Sequence, residues 1–358
     1  MKMTMRYYGK GYDSVTLEQL RQIRYVEGLI STLYYKQAGE LWTREEIQAL
    51  KKEIADGGME LSGIESVNIH DAIKIGSPDR DMYIENYIKT LENLGEERID
   101  LVCYNFMPVF DWTRSDLAKP REDGSNALAY DQSEVDKIDP NSLFENMDKN
   151  SNGYVMPGWE PERLSKIKEL FEAYADVDAE KLFNNLVYFL KAIMPTCEKY
   201  GIKMAIHPDD PAWSVFGLSR IITSKEGFLR MCEAVPSVYN GVTLCTGSLG
   251  SNPDNDIVDI IKALKGRIHF AHIRNIRHTA PGKFEEACHL SADGSLDLMQ
   301  IVKALYDTGF DSIIRPDHGR MLWGEKAMPG YGLYDRALGA AYICGLWEML
   351  DKVPAKVY

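Results

Sequence analysis

Residues 241–273 read GVTLCTGSLGSNPDNDIVDIIKALKGRIHFAHI and contain a short apolar run, a helical segment and a second short apolar run. The runs 241–247 and 267–273 are rich in β-branched and aromatic residues, a composition typical of strands. Between them, IVDIIKALKG (257–266) repeats apolar residues three and four positions apart, which is the period of a helix with one buried face. The stretch therefore predicts a strand–helix–strand unit of the kind that builds parallel sheets.

The same alternation extends over the rest of the chain. Six further apolar runs have the composition of strands and bring the total to eight; they are residues 5–9, 28–34, 61–67, 100–106, 202–208 and 311–317. The segments between them have helical periodicity, and TREEIQALKKEIADGG (43–58) places Thr43 and Glu46 at the spacing of a capping box. Eight strands of this kind favour a closed (β/α)8 barrel, the TIM fold, over an open sheet.

One connection is longer than a barrel needs. About 95 residues separate the fourth and fifth runs, and many of them are Gly, Asn and Asp. We predict a single barrel domain over residues 1–358, with 107–200 inserted over the C-terminal face, where such barrels carry their sites. The insertion is expected to act as a lid or an oligomer contact, and the alternative is a passive loop.

Composition excludes several classes of function. The 358 residues include 41 Lys+Arg and 54 Asp+Glu, and the net charge of −13 disfavours nucleic acid as a partner. The sequence has no leading apolar segment and no apolar run near 18 residues, so we expect neither export nor membrane insertion and place the protein in the cytoplasm. Its six cysteines form no CxxC pair and are expected to be thiols.

Four polar residues follow the last four predicted strands: His207, Cys245, His272 and Asp317. Two imidazoles, a thiolate and a carboxylate at one end of a barrel could bind one divalent transition metal ion. Taken singly, each histidine could be a core residue and Cys245 a small buried hydrophobe. His269 lies three residues before His272 and should face the other side of the strand, although the two could exchange roles.

Hydrogen-bonding side chains surround this predicted centre. Such a lining suits a small hydroxylated substrate, and arginines favour a sugar acid because a guanidinium group can bind a carboxylate through two hydrogen bonds. Each arginine could instead form a surface ion pair. The predicted substrate-binding residues are Arg6, Glu65, His70, Asn105, Trp112, Arg274, Asn275 and Arg320.

Nine stretches along nearly the whole chain resemble the successive signatures of the mannonate dehydratase family. They are MRYYGKGYDSVTL, ESVNIHDAIKIG, CYNFMPVFDWTR, IHPDDPAWSVFGLSRI, LCTGSLG, HIRNIR, CHLSADG, RPDHGR and PGYGLYDRALG. The resemblance implies a barrel related to xylose isomerase-like proteins. It also implies a hydro-lyase of hexuronate breakdown that converts D-mannonate to 2-dehydro-3-deoxy-D-gluconate and water with Mn²⁺ or Fe²⁺.

The resemblance assigns roles to individual residues. It implies that His207, Cys245, His272 and Asp317 hold the metal and that His318 and Tyr331 transfer protons, with Tyr334 as the alternative to Tyr331 in GYGLYD. It does not say which of His318 and Tyr331 is the acid and which the base. We also expect a homo-oligomer, a dimer.

Other functions remain open at this point. A metal-dependent sugar or sugar-acid isomerase or epimerase would use the same barrel with more carboxylates and no thiolate, and a sugar-acid binding protein could hold a structural zinc. A barrel endonuclease would need a basic groove, which the charge of −13 disfavours. The chain has no GxGxxG at a strand–helix junction and no GxxxxGK[ST], so no nucleotide cofactor is expected.

Overall fold

Eight parallel strands close into a barrel in the computed structural model, which describes residues 1–137, 152–154 and 166–353. Strands are numbered β1 to β12 in chain order, and their order around the barrel is β1-β12-β9-β8-β7-β4-β3-β2. The barrel strands are β1 (Lys2–Arg6), β2 (Gly28–Ser31), β3 (Leu61–Glu65), β4 (Leu101–Tyr104), β7 (Lys203–Ile206), β8 (Asn240–Cys245), β9 (Ile268–Ile273) and β12 (Ile313–Pro316). The predicted (β/α)8 barrel is confirmed.

Helices connect the strands and cover the outside of the barrel. They are α1 (Leu17–Gln22), α2 (Arg44–Asp56), α3 (Asp71–Ile75), α4 (Arg80–Glu96), α5 (Gln132–Val135), α6 (Ile167–Tyr174), α7 (Ala179–Tyr200), α8 (Lys225–Ala234), α9 (Thr246–Gly250), α10 (Ile257–Ala263), α11 (Leu298–Asp307) and α12 (Leu333–Lys352), with a 3₁₀ turn at Ser291–Asp293. Thr43 and Glu46 form the predicted capping box at the start of α2. Within the described residues, no helix is both long and apolar enough to cross a membrane.

The first strand begins earlier than residues 5–9, which the sequence suggested. It runs from Lys2 to Arg6 because Lys2 and Met3 pair with β12 across the barrel seam. The aromatic pair Tyr7 and Tyr8 therefore lies just beyond the strand, and both residues are buried. This shift brings Tyr8 to the mouth of the barrel instead of its wall.

A second sheet, of four antiparallel strands, lies outside the barrel. Its order is β10-β11-β6-β5, with β5 at Asp116–Pro120, β6 at Asn126–Asp131, β10 at Asn275–Ala280 and β11 at Lys283–Ala287. Two strands come from the predicted insertion, and two come from an excursion after β9 that the sequence analysis did not recognise. The turn Pro281-Gly282, with Gly282 at φ +70°, was the available sequence signal for that second hairpin.

The predicted inserted range 107–200 contains one helix of the barrel itself. Helix α7 packs against α3 and α4 on the outer ring, so the additional structure ends before Ala179. Residues 138–151 and 155–165 of the predicted lid lie outside the described residues.

An apolar layer inside the barrel lies below the mouth. It consists of Ile30, Leu101, Cys103, Ala205 and Phe270 from four strands, all of them buried. Phe270 and His272 are two residues apart on β9, so both point inward, and their rings meet edge to face at 4.4 Å. Polar side chains near the strand ends therefore stand on an apolar floor.

Candidate active site

The four predicted metal ligands lie together at the C-terminal mouth. One donor atom from each of His207, Cys245, His272 and Asp317 falls within 4.8 Å of the others. Barrel register explains this, since Cys245 on β8 pairs directly with His272 on β9. The Cys245 sulfur lies 3.5 Å from Asp317 Oδ2, and the two imidazole rings are centred 5.1 Å apart.

His269, the alternative to His272, does not join this group. It is buried on the outer side of β9 and donates from Nε2 to the carbonyl of Val238 at 3.0 Å. Burial, with a smaller contribution from Lys203, lowers the pKa of His269 to about 4, so the ring is neutral at physiological pH.

The surroundings of these side chains suit a divalent cation. His207 Nδ1 lies 2.7 Å from the carbonyl oxygen of Pro208, which can only accept, so Nδ1 carries the hydrogen and Nε2 keeps its lone pair. Ser248 donates to the Cys245 sulfur at 3.0 Å. Such partners orient metal ligands, and two imidazoles, a thiol and a carboxylate are a donor set for a borderline transition metal.

His318 and Tyr331 form a hydrogen-bonded pair beside this group. His318 Nε2 lies 2.8 Å from the Tyr331 hydroxyl, and His318 Nδ1 lies 2.6 Å from Arg274 Nη1. Nδ1 also lies 3.3 Å from the Glu286 carboxylate, which only accepts. The shorter contact is with Arg274, which only donates, and it favours the tautomer in which Nδ1 accepts and Nε2 carries the hydrogen towards Tyr331. Tyr334, the alternative in the motif, is 40% exposed and packs against Trp323 instead.

Burial shifts the pKa of both members of this pair. It lowers the pKa of His318, and Arg274 acts in the same direction while Asp317 opposes it. It raises the pKa of Tyr331 well above that of free tyrosine, and the nearby Asp317 carboxylate adds to the effect. Both groups are therefore neutral near pH 7, so the pair has one ring nitrogen that can accept a proton and one hydroxyl that can give one.

A buried network of ion pairs holds His318 at Nδ1, the ring nitrogen that does not face Tyr331. Arg114 donates to Asp210 at 2.8 Å and to Glu286 at 2.9 Å, and Arg274 donates to Asp210 at 2.6 Å. Glu286 Oε1 also lies 3.3 Å from His318 Nδ1. Two guanidinium groups thus compensate two carboxylates that would be costly to bury alone.

Parts of this network come from the additional sheet. Glu286 lies on β11 and Arg114 shortly before β5. The sequence analysis selected neither Asp210 nor Glu286. For Asp210 the position in HPDD, three residues after His207, was a usable signal, whereas nothing local distinguishes Glu286 from its neighbour Glu285.

A cavity of about 60 Å³ is lined by two of the predicted ligands, His207 and Asp317, and by both His318 and Tyr331. An adjoining cavity of about 40 Å³ shares Arg6, Ser66 and Asp111 with it. Four predicted substrate-binding residues line the larger one, namely Arg6, Glu65, Trp112 and Arg274; the lining also includes Tyr8, Ser66, Met107, Asp111, His207, Asp210, Arg315, Asp317, His318 and Tyr331.

The structure places His70 and Asn105 away from the cavity. The His70 ring accepts a hydrogen bond from the backbone N–H of Ala72 at the start of α3 and stacks on Tyr83 at 3.7 Å. The Asn105 side chain accepts from the backbone N–H of Met107 at 3.2 Å. Both side chains organise the loops that follow β3 and β4 and do not line the cavity.

Asn275 and Arg320 also lie outside the cavity. Asn275 is buried; its side chain accepts a hydrogen bond from the backbone N–H of Leu296 and donates one to the carbonyl of Leu290. Arg320 binds Asp335 on α12 through two nitrogen atoms. Proximity to a strand end in sequence does not fix the side on which a loop residue points, which is why these two expectations differ from the structure.

Comparison with known proteins assigns the chain to a family. The family profile of D-mannonate dehydratase (UxuA) matches residues 1–357. A mannonate dehydratase of Brachyspira hyodysenteriae is 67% identical over 353 residues, with 99% of each chain covered. The crystal structure of mannonate dehydratase from Streptococcus suis serotype 2 is 42% identical, with a TM-score of 0.88 over 100% of this chain and 99% of that one.

More distant structures share the fold alone. A xylose isomerase-like TIM barrel protein from Mycobacterium smegmatis, solved in complex with magnesium, is 13% identical, with a TM-score of 0.53 over 92% of this chain and 86% of that one. The whole-length family match and the high identity, together with a residue group that can hold a metal ion, agree with the resemblance seen in the sequence. The chain belongs to the mannonate dehydratase family.

Proposed function

We propose that this protein dehydrates D-mannonate to 2-dehydro-3-deoxy-D-gluconate and water, using Mn²⁺ or Fe²⁺. The observation that carries the proposal is one cavity that two different groups of side chains line. Two of the potential metal ligands, His207 and Asp317, line it together with the neutral hydrogen-bonded pair of His318 and Tyr331. A dehydration needs both, because charge develops on one substrate carbon while hydroxide leaves the next.

His207, Cys245, His272 and Asp317 are the residues that would hold the metal. A divalent ion in this position supplies Lewis-acid stabilisation of the negative charge that develops on the substrate's oxygen atoms. The usual order of affinities among divalent metals would by itself favour zinc over Mn²⁺ or Fe²⁺ for such a donor set. Family membership is the reason for preferring Mn²⁺ or Fe²⁺.

His318 and Tyr331 would carry the two proton transfers. The C2–H bond breaks and its proton passes to one member of the pair, while the other gives a proton to the C3 hydroxyl as the C3–O bond breaks and water leaves. The resulting enol tautomerises to the 2-keto acid, and no electrons are exchanged with a cofactor. Their mutual hydrogen bond of 2.8 Å lets the pair return to its starting protonation after each turnover.

The remaining cavity lining would bind and orient the sugar acid. Arg6 and Arg274 offer guanidinium groups, which recognise carboxylates, and Trp112 meets the His318 ring edge to face at 5.4 Å. Met107, Asp111 and Trp112 come from the segment inserted after β4, which supports a role for that segment in covering the substrate. Protection of sites within 120–160 from proteolysis by metal and a substrate analogue would test this role.

The reaction itself is tested by reconstitution. The metal-free protein, given Mn²⁺ or Fe²⁺, should form a 2-keto acid from D-mannonate and no ketose from aldoses. Ketose formation without keto-acid formation would favour a sugar isomerase and overturn the proposal. Elemental analysis of the purified protein would identify the metal that it carries.

We also propose a cytoplasmic homodimer. All six cysteines are free thiols, which supports a reducing compartment. Trp323, Tyr334 and Leu338 are 75%, 40% and 50% exposed on one side of the barrel, and this apolar surface is a candidate for the contact between subunits. Light scattering on the purified protein would measure the subunit number.

A further inference from the structure

We propose that Glu65 is a positioning residue that fixes His272 as a metal ligand through Nδ1. This inference rests on the proposed metal-dependent function. It gives Glu65 a role other than direct contact with the substrate, and it predicts that the two histidine ligands use different ring nitrogens.

The first observation is the position of the two ring nitrogens of His272. Nδ1 lies 4.0 Å from Asp317 Oδ1, on the side of the other ligands. The other ring nitrogen, Nε2, lies 3.4 Å from Glu65 Oε2. Nε2 is buried and completes no hydrogen bond with the residues that the structure describes, so the Glu65 carboxylate contacts it at ion-pair distance and outside hydrogen-bond geometry. A histidine that binds a metal commonly directs its second ring N–H at such a carboxylate.

A neighbouring arginine supports the same tautomer. Arg315 Nη2 lies 3.5 Å from His272 Nδ1, and a guanidinium group can only donate. Nδ1 therefore keeps its lone pair, and the hydrogen is on Nε2, where it faces Glu65. Donation towards a carboxylate increases the basicity of the other ring nitrogen, which strengthens it as a ligand.

Glu65 is itself held in place by two buried arginines. Arg6 Nη1 lies 2.9 Å from Oε2, and Arg315 Nη2 lies 3.0 Å from Oε1. Burial alone would raise the pKa of Glu65, but Arg315 and Arg6 together hold it well below its usual range, so the group is a carboxylate. Arg315 also donates to Asp317 at 2.8 Å. One guanidinium group thus connects Glu65 with a second ligand of the centre.

A competing role for Glu65 is direct coordination. Glu65, Cys103 and His272 also form a group with one donor atom each within 4.8 Å. Burial raises the pKa of the Cys103 thiol, with a further contribution from Glu65, and the sulfur accepts a hydrogen bond from Thr243 at 3.2 Å. This second group is therefore unsuited to a metal.

His207 gives the contrast that makes the inference testable. Its Nδ1 donates to the Pro208 carbonyl, which leaves Nε2 for the metal. The two imidazoles of one centre should consequently coordinate through opposite nitrogens.

Nuclear magnetic resonance on the full-length protein tests this directly. The seven histidines are labelled with ¹⁵N in the ring and zinc is added as the probe. Long-range ¹H–¹⁵N correlations then identify the ring nitrogen that binds the metal and the one that carries the hydrogen. We expect His272 to bind through Nδ1 with a hydrogen on Nε2, and His207 to bind through Nε2. Coordination of His272 through Nε2 would overturn the inference and leave the metal centre intact, whereas failure of the wild type to bind zinc would overturn both.

A pair of variants supplies the second test. Glu65→Gln should weaken Mn²⁺ affinity about 10- to 100-fold, as loss of such a partner commonly does. Paramagnetic resonance of free Mn²⁺ measures the affinity, and a single cooperative unfolding transition above the assay temperature shows that the variant is folded. Cys103→Ala is the matched control and should bind Mn²⁺ like the wild type. An equal loss of Mn²⁺ affinity in both variants would indicate direct coordination by Glu65 and Cys103. An unchanged Mn²⁺ affinity in Glu65→Gln would show that Glu65 does not position His272.

Discussion

The two groups of side chains at the mouth of the barrel are held in different ways. Each of the four candidate metal ligands lies at the end of a barrel strand or directly after it, and the register of β8 and β9 alone brings Cys245 and His272 together. The network behind the His318–Tyr331 pair depends on residues far apart in sequence, such as Arg114 and Glu286, which are 172 positions apart. The barrel therefore determines where the candidate metal ligands lie, whereas the additional sheet helps to determine how His318 is held.

The largest effect on metal binding should come from removing one of the four candidate ligands at the strand ends. Cys245→Ser should lower Mn²⁺ affinity more than Glu65→Gln does, for which a loss of about 10- to 100-fold is expected. The reason is that a serine hydroxyl does not ionise on a metal as a thiol does. Metal titration measures the change. Cys344→Ser, a half-buried thiol on α12, should behave like the wild type. Unchanged affinity in Cys245→Ser would remove this residue from the ligand set.

Substitutions in the His318–Tyr331 pair should lower activity and leave metal binding unchanged. His318→Asn and Tyr331→Phe should each lower turnover of D-mannonate by roughly 100-fold or more, the usual scale for a lost general acid or base. Metal content should stay at the wild-type level in both. Tyr334→Phe is the control, and the assignment within GYGLYD is wrong if that variant is the inactive one.

Solvent exchange separates the two roles. If deuterium exchange at C2 persists in one variant while dehydration stops, its residue protonates the C3 hydroxyl and the other removes the C2 proton. Full activity in both variants would show that neither residue transfers a proton.

Breaking the buried network should affect stability more than metal binding. Glu286→Gln leaves Arg114 and Arg274 incompletely compensated in the interior, and removing one partner from such a pair costs about 3–5 kcal/mol. Denaturant unfolding measures the loss. Glu180→Gln removes the exposed partner of Arg230 and should cost about 1 kcal/mol or less. Similar losses in the two variants would mean that the network contributes little.

The smallest effect concerns His269, on the outer side of β9. Its pKa of about 4 lies below the ordinary value of 6.5, so only the unfolded chain takes up a proton between these pH values. Stability that is present above pH 6.5 should therefore decline as the pH falls towards 4. His269→Gln should flatten this decline, as measured by unfolding midpoints across the range. Parallel curves for variant and wild type would show that another group is responsible.

The same contrast, between strand ends and residues paired over long distances in sequence, explains how much of the structure the sequence could predict. The barrel strands and their polar ends were recognisable because apolar runs and strand ends are local patterns, and the choice of the four candidate ligands followed from that placement. Glu286 depends on partners far along the chain, so no local spacing marks it, whereas Pro281-Gly282 and the HPDD stretch were usable signals for hairpin β10–β11 and for Asp210. His70 and Asn105 were chosen for proximity to strand ends, but their side chains turn to nearby backbone N–H groups.

The additional sheet has a consequence for how the protein is made. Lys283 pairs with Asp131 across β11 and β6, and 152 residues separate them. At about 5–20 residues per second, the ribosome needs roughly 10–30 s to supply β11 after β6 has emerged. During that interval β6 can pair only with β5, whose Lys119 and Pro120 disfavour the addition of a foreign strand at its outer edge. The nascent chain thus exposes an edge without such protection, that of β6, until the second hairpin covers it.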